Sequence, residues 1–133
     1  MSAFTDLASP SLDDFEQIAR RAWSELPGAF TRLAGDVVFR IEDFATEDVL
    51  ADMEIEDPFE LTGLYVGVDL TRQSVSDPTP VTPMVFLYRR PILDEWAERG
   101  EVTLGELIAH VLVHEIGHHF GLSDDHMDGI LDA

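Results

Sequence analysis

Between residues 114 and 124 the chain places two histidines, His114 and His118, four positions apart with Glu115 directly after the first. On an α-helix that spacing sets the two imidazoles one turn apart and about 40° around the axis, so both can reach a single metal ion. A catalytic zinc takes three protein ligands and keeps a fourth position for water, so a third group must come from outside the helix. Gly121 supplies the means, because a residue without Cβ adopts the left-handed conformation that ends a helix and turns the chain back. Asp124, three residues further on, is then the third ligand. Glu115 lies about 100° around the helix from His114 and can lean over the same ion. It is the candidate general base, taking a proton from water as the oxygen attacks a carbonyl.

The other histidines fit this scheme less well. His110 continues the row of His114 and His118, but each step drifts by about 40°, so three successive members cannot aim at one ion. It is read as packed beside the ligands. His119, about 100° from His118, faces away from the ion and toward the fold beneath the site. His126 competes with Asp124 for the third position, and Asp124 is preferred because it stands at glycine plus three.

The elements that must carry these residues can be read from punctuation and periodicity. Ser11 caps a first helix whose apolar residues, Phe15, Ile18, Ala19, Ala22, Trp23 and Leu26, recur at helical spacing until Pro27-Gly28. Val37 to Ile41 reads as a strand, and the acidic stretch Glu42 to Asp57 as a short helix or loop. Leu61 to Leu70 reads as a second strand, with a bend or a close backbone approach at Gly63 and Gly67. Residues 71–83, with three prolines, form a loop, mobile and able to act as a lid. The continuous apolar run Met84 to Tyr88 is a third strand that Pro91 helps to end, and Ile92 to Arg99 a short helix closed by Gly100. Thr103 and Glu106 form a capping box at the start of the metal helix, which runs to about Phe120. Ser123 to Leu131 makes a last short helix.

Composition narrows the function classes. A chain of 133 residues, 45% of them hydrophobic, suits one domain spanning 1–133 with a single core. It holds no cysteine, which excludes thiolate metal sites and disulfides. The net charge of -19 repels phosphate backbones and anionic membranes, so neither nucleic acid nor membrane is expected as a partner. A basic peptide or protein is the partner such a surface would attract, although solubility alone accounts for an acidic surface. The first ten residues have no basic start or long apolar run, and no segment reaches the roughly 18 apolar residues of a membrane helix, so a cytoplasmic location is expected.

The segment from His114 to Asp124 resembles the zincin metallopeptidases, and its H-E-x-x-H-x-x-G-x-x-D form is similar to the metzincin signature with aspartate as third ligand. A narrower likeness is to the short bacterial zincin-like metallopeptidases, formerly a domain of unknown function, which share the double histidine His118-His119 and the following Phe120-Gly121. The likeness extends upstream to Leu26-Pro27, to Gly63-Leu64-Tyr65-Val66-Gly67 and to Leu87-Tyr88-Arg89-Arg90-Pro91. It implies one zinc per chain on His114, His118 and Asp124, with Glu115 as base and Met127 as counterpart of the metzincin methionine turn. It also implies a sheet-edge strand that pairs with extended substrate, for which 84–88 is the candidate. Tyr65 and Tyr88 are candidates for stabilising the oxyanion. Arg89 and Arg90 either contact substrate or pair with nearby carboxylates.

The sequence thus leads to an α+β, zincin-like fold: an N-terminal helix, a small mixed sheet, and a C-terminal metal helix followed by a short one. The expected activity is peptide-bond hydrolysis by metal-activated water. The alternatives are a zinc-binding interaction protein without catalysis and a zinc amidase acting on a small substrate. The oligomeric state is not legible.

Overall fold

The computed structural model describes residues 9–67 and 83–131. Helix α1 (Leu12–Glu25) begins at a reciprocal cap: Ser11 Oγ accepts from the Asp14 N–H at 3.1 Å, and the Asp14 carboxylate accepts from the Ser11 N–H at 2.8 Å. Its buried side, Phe15, Ala19 and Ala22, packs against the metal helix and the sheet. Pro27 ends this run but also starts another, because its carbonyl accepts from Phe30 and Thr31 and opens α2 (Gly28–Ala34). A seven-residue helix has little stability of its own. This one is held by Phe30, which is buried and meets the Trp23 ring edge-on at 6.3 Å.

Three strands follow: β1 (Val38–Glu42), β2 (Gly63–Val66) and β3 (Met84–Tyr88). Between β1 and β2 lie α3 (Glu47–Asp52), capped by Thr46, and a 3-10 turn (Pro58–Glu60) capped by Asp57. The sheet order is β1-β3-β2, with β1 parallel and β2 antiparallel to β3. The 84–88 strand, expected at the open edge of the cleft, is therefore the middle one. Its unbroken apolar run reflects coverage on both faces and pairing on both sides, which is the signature of a central strand. Among the described residues the outer strands are β1 and β2.

Alternation sorts the strands onto two faces. Phe39, Tyr65, Val85 and Leu87 point into the main core with α1 and the metal helix, whereas Tyr88 turns to the opposite face and packs with Ala45, Leu50 and Leu61. Helix α4 (Arg89–Arg99) starts three residues before the expected Ile92. Pro91 occupies its first turn, where an N–H would have no acceptor, so the proline favours the helix start as well as closing the strand. Helix α5 (Leu104–His119) carries the metal motif, and α6 (Asp124–Leu131) follows it. Thr103 caps α5 by accepting from the Glu106 N–H at 3.1 Å, while its hydroxyl donates to the Glu106 carboxylate. The loop expected over 71–83 lies outside the described residues except for Pro83. No helix among the described residues is long and apolar enough to cross a membrane.

The close backbone approach expected at Gly63 is present. A Cβ there would stand 2.7 Å from Val111 Cγ1 and 3.6 Å from Glu115 Cγ, so only glycine lets β2 lie directly on α5 beside the motif. Gly63→Val should lower stability by about 1–3 kcal/mol, the usual range for an overpacked interior. Urea unfolding measures this, and an unchanged midpoint would mean that the contact yields at no cost.

Candidate metal centre

His114 and His118 stand one turn apart near the C-terminal end of α5, with ring centroids 5.7 Å apart. The helix then stops in a Schellman motif. The Leu122 N–H donates to the Gly117 carbonyl at 2.8 Å and the Gly121 N–H to the His118 carbonyl at 3.1 Å, while Gly121 takes a φ of +75°. The chain reverses, Ser123 Oγ accepts from the His126 N–H at 3.1 Å, and α6 begins at Asp124. The reversal brings Asp124 back to the histidines. One donor atom from each of His114, His118 and Asp124 lies within 4.8 Å of the other two.

The chemistry of this trio fits a metal. Nε2 of His114 is buried and has no hydrogen-bond partner, which is costly for a ring nitrogen unless something fills the space it faces. His118 Nε2 and Asp124 Oδ1 are 3.9 Å apart, too far for a hydrogen bond between them but close enough to share an ion. Their side chains are 64% and 83% exposed, so the site opens to solvent on their side and is closed on that of His114. His126 is exposed and is not part of the trio, so the geometry favours Asp124 as the third donor.

Glu115 lies under β2, one step around the helix, and is largely removed from water. Burial pushes its carboxyl above the ordinary carboxylate range, while the nearby His118 pulls it the other way. His110 stacks on His114 with centroids 4.1 Å apart, beside the ligands as expected. Burial, then His114 and Arg99, lower its pKa, so it stays neutral more readily than a free histidine. His119 does not lie beneath the fold: it is exposed and meets Tyr65 and Phe120 edge-on, at 4.8 and 5.0 Å.

The remaining candidates fare unequally. Tyr65 is buried with its ring against His119 and Phe120 and its hydroxyl folded back over Gly67. Tyr88 is 1% exposed. Burial first, then the carboxylates of Glu42 and Glu115, push its phenol up to about 12, so it remains protonated at physiological pH. Arg89 is committed elsewhere: it donates to Asp43 at 2.8 Å and to the Pro10 carbonyl at 2.9 Å, tying the start of α4 to the chain after β1 and to the start of α1. Of the two readings of Arg89, the carboxylate pair is the one observed.

Met127 is fully buried, and its side chain rests on Gly117 beneath the ligand turn. It belongs to a helix rather than a downstream turn, yet it supports the ligands from below. Gly117 was not singled out from sequence. A glycine inside an otherwise strongly apolar helix was the available signal, since such a position costs about 1 kcal/mol relative to alanine unless something must approach it. A Cβ at Gly117 would collide with Met127 Sδ and stand 2.9 Å from its Cγ. Gly117→Ala should gain helix propensity and still lose stability, by about 1–3 kcal/mol, because the collision outweighs the propensity. It should also weaken zinc binding by about tenfold as α6 shifts Asp124. Competition with a chromophoric chelator tests this, and wild-type affinity with wild-type stability would remove Met127 and Gly117 from the site's support.

Comparison with known proteins agrees with this geometry. No curated protein matches the chain. Residues 34–131 match the family model described as zincin-like metallopeptidase, a span that runs from the end of α2 through every element of the site. The chain belongs to the zincin-like metallopeptidase family.

Proposed function

We propose that the protein is a zinc-dependent peptidase in which His114, His118 and Asp124 hold the ion and Glu115 is the general base. The observation that carries the reading is the convergence of one donor atom from each of His114, His118 and Asp124, with the Nε2 of His114 buried and partnerless among the described residues. Zinc bound there supplies a Lewis acid that polarises the scissile carbonyl and makes water a better proton donor. The chain's own residues do the rest. Glu115, raised by burial, accepts a proton from the attacking water and passes it to the leaving amine.

Substrate is aligned by β2 rather than by the 84–88 strand. The Tyr88 N–H donates to the Thr62 carbonyl at 2.9 Å, which fixes the phase of the antiparallel ladder. Thr62, Leu64 and Val66 therefore direct their backbone groups to β3, and Gly63 and Tyr65 direct theirs to the edge that pairs with no other strand among the described residues. An extended peptide that adds as a further strand pairs with Gly63 and Tyr65. That brings its backbone to the stretch of β2 that lies against α5 at Glu115, where a Cβ on Gly63 would stand 3.6 Å from Glu115 Cγ. An extended, backbone-paired substrate favours a peptide over a small amide.

Glu115→Gln should retain the metal of wild type and lose peptide hydrolysis by at least about a hundredfold, the usual scale for removing a general base. A quenched-fluorescence peptide library measures the activity. Wild-type rates in the glutamine variant would assign the turnover to a contaminant or to another base.

A further inference from the structure

From the charges around the open edge of β2 we infer that the cleft takes a cationic peptide, with Lys or Arg side chains flanking the reacting bond. This deepens the peptidase reading and rests on it. Residues 42–60, which lead into β2, hold nine Asp or Glu and no Lys or Arg. The end of this segment, with Glu56, Asp57 and Glu60 all exposed, immediately precedes the edge residue Gly63, which packs on α5 at Val111 and Glu115. In α6, directly after the third donor, Asp125 and Asp128 are exposed as well. Exposed carboxylates thus stand close in the chain to both the edge strand and the third donor.

Nearby arginines offset little of this. Arg89 is paired with Asp43, and Arg99 with Glu95 at 2.8 Å; Arg90 is the exposed neighbour. Carboxylates spaced within a Debye length of about 8 Å reinforce one another's potential, and a cleft with a low-dielectric wall concentrates it. Two further features belong to the same site. The backbone groups of Gly63 and Tyr65 face the edge of β2 that pairs with no other described strand, and the buried Nε2 of His114 has no hydrogen-bond partner among the described residues. An anionic peptide would pair with the same edge but against this field.

The test uses binding, so that it does not depend on turnover. Zinc-loaded protein is titrated calorimetrically with acetohydroxamate and with two otherwise identical tetrapeptide hydroxamates, one carrying two lysines and the other two glutamates. The lysine compound is expected to bind at least about tenfold tighter at low salt, with the gap closing as salt is raised. The gap should also shrink in a Glu56→Lys, Glu60→Lys double variant whose acetohydroxamate affinity matches wild type. Equal affinity for the two peptides, with acetohydroxamate still bound, would overturn the charge preference and leave the metal centre standing. Failure of acetohydroxamate to bind would overturn both.

Discussion

Three donor groups must meet at one point although the backbone that carries two of them is a straight helix. The rest of the site follows from that constraint. A helix delivers His114 and His118 for nothing more than their spacing, but the third ligand requires the helix to stop within a turn of His118 and the chain to reverse. Gly121 at positive φ makes the reversal, and the Schellman hydrogen bonds fix its direction. The packing of Met127 onto Gly117 then fixes its depth, because α6 settles as close to α5 as the missing Cβ allows. Two glycines four residues apart thus do different work: one turns the chain, the other lets it return closely.

A third glycine sets the opposite wall. Gly63 brings β2 against α5 at Val111 and Glu115, which shields the candidate base from water and places beside it a sheet edge that pairs with no other described strand. Burial of Glu115 and the proposed alignment of substrate therefore rest on one contact. Among the described residues the sheet has three strands, and the central one, β3, is covered on both faces and anchors the other two.

The candidate metal site was largely legible in the sequence because it is local. The histidine spacing, the glycine and the aspartate all lie within 114–124, and each answers a rule of helix geometry that no tertiary contact overrides. The same holds for the caps at Ser11 and Thr103 and for the left-handed stop at Gly100. What was misread depended on pairing between distant segments. Strand 84–88, expected at the open edge, is central, and its continuous apolar run, in contrast to the exposed Val66 of β2, fits that place. Helix α2 escaped notice because seven residues starting with glycine have no helical signal apart from the burial of Phe30 on Trp23. For Arg89 the sequence offers a carboxylate pair as one of two readings but does not name the partners, since Asp43 and Pro10 are 46 and 79 positions away.

The central claim is that His114, His118 and Asp124 form one metal centre, with the aspartate supplied by the chain reversal. Elemental mass spectrometry of wild type, His114→Ala and Asp124→Ala, purified identically and offered zinc, tests it most directly. The account predicts about one zinc per wild-type chain and a sharp loss in both variants. A folded wild-type protein that takes up no transition metal, or an Asp124→Ala protein that keeps its full complement, would contradict it.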